Sequence, residues 1–70
     1  MNNLNIKLVL CSFPDMDLAR QIGTDIVRKQ LAACVNLMPK IESIYEWNGE
    51  IQSEIEILSI FKTKVNLLKN

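Results

Sequence analysis

Histidine is absent from the 70 residues, and glycine, proline and cysteine occur only twice each. The missing histidine removes the commonest metal ligand and the commonest general base together. With no imidazole to activate a Ser or Cys, no nucleophile–base arrangement is visible. Two isolated glycines, Gly23 and Gly49, cannot make a phosphate-cradling loop. The residues therefore point away from an enzyme. Net charge is missing as well: Lys plus Arg number 8 and Asp plus Glu number 8. There is no basic field and no stripe of aromatic and basic residues, so nucleic acid is not an expected partner. The longest apolar run near the N-terminus is Leu8-Val9-Leu10-Cys11, far short of the ~20 residues that span a bilayer. No membrane partner is expected, and the chain reads as cytoplasmic. In that compartment Cys11 and Cys34 are expected as free thiols, and their spacing is not that of a metal-ligand pair.

What is present is apolar: 49% of the residues are hydrophobic, which excludes a disordered chain. The length allows one domain, residues 1–70. A domain this small buries only about 60% of the surface of its unfolded chain. With no disulfide framework and no structural zinc pattern, good packing or association must supply the rest.

Ile6 to Ser12 reads as a strand, and the consecutive Leu8, Val9 and Leu10 suit one covered on both faces. Pro14 ends it and Asp15 is a good helix N-cap. Leu18, Ile22 and Ile26 recur every four residues, with Ala19 and Val27 beside them, which predicts a helix from Met16 to about Gln30. Gly23 lies beside this stripe, where it permits close approach to a sheet. Ala33 to Trp47 reads as a long strand with a bulge or edge position at Pro39. Asn48-Gly49 is a two-residue hairpin turn, and Glu50 to Lys62 is the returning strand. Thr63 is expected to cap a second helix beginning near Lys64, of which Val65, Leu67 and Leu68 begin the apolar face. The class is α+β, and β-α-β-β is the opening of a ferredoxin-like β-α-β-β-α-β unit. The chain is expected to be incomplete, lacking the closing helix and strand, with the first strand keeping an open edge.

The hairpin carries its own implication. A two-residue turn sets Trp47 opposite Glu50 and Tyr45 opposite Gln52. Ile41, Tyr45 and Trp47 then share one face, and Ile44, Ile51 and Ile55 the other. One helix layer covers one face only, so the distal hairpin, with Tyr45, Trp47, Ile44, Ile51 and Ile55, is predicted to pack against another subunit. Cys11, at the end of the first strand, has two readings: a soft thiolate ligand suited to Cu(I) or zinc, or a small buried hydrophobe. Cys34, between Ala33 and Val35, reads as core. Glu42, Glu46, Glu50, Glu54 and Glu56 crowd the hairpin, but the register divides them between its faces. They read as a solvated rim rather than a hard-cation site.

Four signatures stand in order: Val9-Leu10-Cys11-Ser12 leading to Pro14-Asp15, Leu31-Ala32-Ala33-Cys34-Val35-Asn36, Tyr45-x-Trp47-x-Gly49, and Lys62-Thr63. At this spacing the chain resembles the CutA divalent-ion tolerance proteins from about Leu8 to Thr63. The resemblance implies a ferredoxin-like protomer in a homotrimer, with hairpins pairing between subunits in a PII-like architecture. It implies tolerance to copper or another divalent metal, copper binding in some members, and no assigned reaction. Cys11 matches a cysteine that some members place at this strand end and that is linked to copper. Other members carry it just before the proline, here Phe13, and many have glycine where Lys40 stands. The family's later His-Pro-Tyr segment, with a nearby Pro-Glu, has no counterpart in these residues. Three functions follow as expectations: a copper-responsive, non-enzymatic homotrimer with Cys11 as ligand; a PII-like signalling or interaction module; or an inactive truncated remnant.

Overall fold

The computed structural model describes residues 6–64, in the order β1 (Ile6–Phe13), α1 (Met16–Arg28), β2 (Cys34–Trp47) and β3 (Glu50–Lys64). The three strands form one sheet in the order β1-β3-β2, with β3 antiparallel to both neighbours. β1 and β2 are therefore parallel to each other with β3 between them, and α1 is their crossover. This is the split β-α-β of a ferredoxin-like unit.

α1 begins where Asp15, in extended conformation, accepts a 2.8 Å hydrogen bond from Leu18 N. Asp17 in the first turn and Arg28 in the last complement the helix dipole. The helix ends earlier than its periodicity predicts, at Arg28, because Gln30 takes a left-handed conformation with φ 61°. Leu31 N then donates to Ile26 O at 3.0 Å and Gln30 N to Val27 O at 2.9 Å, a Schellman closure.

Phe13, Ala19, Ala32, Ile57 and Phe61 are the buried core, with Leu18, Ile22, Ile26, Val35 and Leu37 packed around it. Gly23 is buried against β2, and a Cβ there would lie 3.2 Å from Val35 Cγ1. The predicted close approach of helix and sheet at this glycine is thus present.

Two expectations change, and a third lies outside the described residues. β1 is covered on one face only, since Leu8 and Leu10 on its other face are about 60% exposed (58% and 62%). α1 is the only helix among the described residues, and one helix can screen only one side of a sheet. β3 runs past Lys62 to Lys64, so Thr63 is no helix cap. It is buried in the strand, and its hydroxyl donates to Leu31 O at 2.6 Å, tying the segment after α1 to the sheet. The second helix expected over Val65, Leu67 and Leu68 lies outside the described residues.

The break at Pro39 is a bulge between Met38 and Ile41, with Lys40 at φ 60°. Proline cannot donate to the ladder, and the extra residue shifts the parity of β2. Ile41 consequently faces Glu56 rather than Ile55. Asn48 (φ 53°) and Gly49 (φ 80°) make the two-residue turn, and Trp47 pairs with Glu50 and Tyr45 with Gln52 as predicted.

Candidate functional site

Cys11 sits two residues from the end of β1, on the face that α1 covers, opposite Ser59 of β3. It is exposed rather than buried, so the reading as a core hydrophobe does not hold. The cause is local. α1 packs over Phe13, Ile57 and Phe61 but leaves an apolar groove beside β1, of about 330 Å³, into which Cys11 opens alongside Val9, Ile22, Ile26 and Leu31. The Cys11 carbonyl accepts a 2.7 Å bond from the fully buried Ser59 hydroxyl, which fixes the strand end. The Cys11 Sγ is 3.9 Å from the Ser12 carbonyl and has no stronger partner among the described residues.

The thiol has no companion ligand. Among the described residues no group of three or more His, Cys, Asp or Glu side chains converges as a metal site. The other oxygen lining the groove, the Thr63 hydroxyl, is already committed to Leu31 O. One chain's described residues thus supply a single soft donor and do not form a metal centre. Cys34, expected in the core, is half-buried and belongs to β2, remote from Cys11 in the register.

The distal hairpin is the second candidate. Ile44, Ile51 and Ile55 share the helix-side face but lie beyond the reach of α1, at 68%, 73% and 60% exposure. Trp47 and Tyr45 are exposed on the opposite face with Ile41, the division the turn predicts. The glutamates are also divided by face, as expected, and each face holds its own cross-strand hydrogen bonds. Tyr45 OH donates to Glu54 at 2.6 Å and Ser43 to Glu56 at 3.2 Å, while Ser53 donates to Glu42. The Glu54 carboxylate, which accepts the phenol proton, holds the Tyr45 pKa above its ordinary value, with partial desolvation and the charge of Glu56 adding to the effect. These bonds stiffen a two-stranded ribbon that lies outside the core.

A third feature has no sequence motif. α1 and β2 enclose a groove of about 570 Å³ with Arg20, Thr24 and Arg28 along the helix and Val35 and Leu37 along the strand. The i, i+4, i+8 spacing of the three polar residues is the signal that places them on one stripe.

The sequence from residue 7 to 70 matches the family model described as CutA1 divalent ion tolerance protein. The chain belongs to this CutA1 family. Protein CutA of Homo sapiens is 41% identical over 64 residues, covering 91% of this chain and 36% of that protein. The divalent-cation tolerance protein CutA of Thermus thermophilus is 42% identical over 57 residues, 81% of this chain and 55% of that one. The solved CutA structure from Synechococcus elongatus superposes with a TM-score of 0.87 at 37% identity, over 93% of this chain and 57% of that one. CutA1 from Oryza sativa gives 0.84 at 38% identity, over 91% and 59%. The chain thus spans about a third to a little over half of the curated CutA relatives it matches. The ferredoxin-like, PII-like fold of the CutA1 structures is the fold begun here by β1, α1, β2 and β3.

Proposed function

We propose that this CutA1-family chain acts in divalent-ion tolerance as a non-enzymatic homotrimer that takes up copper through Cys11. The observation that carries the reading is the exposed Cys11 thiol, the single soft donor opening into a groove, in a chain of the family named for divalent-ion tolerance. Thiolate suits Cu(I), and a reducing cytoplasm keeps it available. Because the described residues of one protomer bring only one donor to this groove, the reading takes further ligands from other subunits and links binding to assembly. The distal hairpin, with Ile44, Ile51 and Ile55 bare on one face and Tyr45 and Trp47 on the other, supports the subunit contact.

Native mass spectrometry of the chain with and without Cu(I) tests this. The expected result is a species of three 8.0 kDa chains that takes up copper in fixed ratio. Cys11→Ser should abolish uptake and leave the trimer intact, whereas Cys34→Ser should change neither. Equal copper uptake by Cys11→Ser would remove Cys11 from the site, and a monomer that binds copper stoichiometrically would remove assembly from the mechanism.

A further inference from the structure

The groove beside β1 is open along one side. Val9, Ile22, Ile26, Leu31, Phe61 and Thr63 line it around the Cys11 thiol, and no charged side chain does. Val9 and Leu31 keep 39% and 42% of their surface exposed. The one hydroxyl in the lining, that of Thr63, is committed to Leu31 O at 2.6 Å. A polar ligand would give up its hydration here without gaining a partner. An aliphatic segment suits the groove better.

The sequence delivers such a segment to its mouth. β3 ends at Lys64, one residue after Thr63. Val65-Asn66-Leu67-Leu68 follow, with three aliphatic side chains in four positions. Thr63 pairs with Lys7, and Cys11 stands four residues further along β1, about 13 Å away. The five steps from Thr63 to Leu68 span about 17 Å as an extended chain and about 7.5 Å as a helix. A chain that turns back over the sheet after Lys64 therefore brings Leu68 to Cys11 if extended, and to within the reach of a long side chain if helical.

We propose that residues 65–68 fold back into this groove as a gate over Cys11, so that metal reaches the thiol when the segment lifts. The purpose of the gate rests on Cys11 being the metal donor proposed above; its position does not. Tethering favours this occupant over any apolar partner in solution. A linker of one residue, Lys64, holds the segment at an effective concentration on the order of millimolar. A gate that is mostly closed lowers the apparent affinity of anything that seeks the thiol by the fraction of time it is open. A reagent that must reach Cys11 is slowed by the same fraction.

The test uses the full 70-residue chain carrying Cys34→Ser, which leaves Cys11 as the single thiol. Its reaction with an aromatic disulfide reagent is timed by absorbance. Leu67→Asn combined with Leu68→Asn should speed the reaction at least fivefold. Leu67→Met combined with Leu68→Met keeps the segment apolar and should leave the reaction slow. Matching far-UV circular dichroism spectra will show that both double variants are folded. A second measurement needs no polar substitution: Leu68→Cys, in the Cys34→Ser chain, should form a disulfide with Cys11 within one chain. Oxidised glutathione is the oxidant, and its reduction to two thiols takes up the two electrons and two protons released. Equal labelling rates in the three chains, or disulfides that form only between chains, would overturn the gate. A rate that falls with protein concentration, equally in the parent and in the asparagine variant, would assign the groove to a second chain instead. Copper is scored separately by native mass spectrometry with Cu(I), where the asparagine variant should load at lower metal concentration and in the same ratio. Absence of uptake by both chains, with the difference in labelling rate intact, would keep the gate and remove Cys11 from metal binding.

Discussion

Outside the hairpin turn, where Asn48 is the third, two non-glycine residues among those described hold left-handed backbone, Gln30 (φ 61°) and Lys40 (φ 60°), and each stands at a place where the chain changes course. An L-residue pays about 1 kcal/mol or somewhat more in this region, and glycine does not. Gln30→Gly and Lys40→Gly are each expected to stabilise the fold by roughly 0.5–1 kcal/mol, the upper part of the strain being offset by the greater freedom of glycine in the unfolded chain. Urea titration should show a higher midpoint with an unchanged slope. A lower midpoint would mean that side-chain contacts at these positions outweigh the backbone strain. Tyr45 offers a spectroscopic check at the same scale, because it is the only tyrosine. Its phenol donates to Glu54, which raises its pKa in the folded state. A group whose folded pKa is raised adds stability below its unfolded pKa, and that stability fades as pH rises through the folded value. The absorbance titration of phenolate should therefore have its midpoint above 10, the ordinary value, and Glu54→Gln should bring it back down. Equal midpoints in the two proteins would show that the hydrogen bond does not form in solution.

The elements show which physical signals a single sequence carries. Leu18, Ile22 and Ile26 identify α1, and Asp15 its start, because periodicity and capping are local. Asn48-Gly49 fixes the turn and the register from Trp47–Glu50 back to Ile41–Glu56, because a two-residue loop leaves no freedom. The helix end is less legible: Gln30 does the work usually given to glycine, and the closing backbone bond from Leu31 N to Ile26 O is announced by no residue type. Thr63 misleads for a related reason. A threonine after a strand reads as a cap, but a tertiary partner, the Leu31 carbonyl, keeps it in the ladder. That interaction has its own consequence. Thr63→Val should lose about 1–2 kcal/mol by leaving the carbonyl unpaired. Hydrogen exchange should quicken at Ala32 and Ala33, where the chain enters β2. Unchanged protection there would mean that Ala33 N to Lys62 O, at 2.8 Å, holds the segment without help. The candidate site follows the same division. The position of Cys11 at a strand end is readable, but its exposure depends on how far α1 reaches across the sheet.

At the scale of the whole molecule, the described residues measure 45 × 25 × 21 Å, and the long axis follows from a hairpin that outruns its helix. Charge is divided in the same way. Residues 42–56 hold Glu42, Glu46, Glu50, Glu54 and Glu56 and no Lys or Arg, so a net charge of zero conceals an acidic end. Carboxylates at the rim keep such a ribbon soluble, while Ile44, Ile51 and Ile55 between them remain bare. Each exposed isoleucine represents about 1.5–3 kcal/mol of unrealised burial. A partner subunit that covers all three gains several times that amount before the cost of association. Trp47, the only tryptophan and 65% exposed, reports on the event from the opposite face of the same hairpin. If the subunit contact wraps both faces of the hairpin, Trp47 emission will shift to longer wavelength on dilution, in step with a fall in sedimentation coefficient. Ile51→Lys combined with Ile55→Lys should give the dilute spectrum and the monomer coefficient at every concentration. The core should survive, because neither side chain packs within it. Circular dichroism of the double variant separates this outcome from unfolding. An oligomer that persists in the folded double variant would move the contact to the bare Leu8 and Leu10 face of β1, the other apolar surface that α1 leaves uncovered.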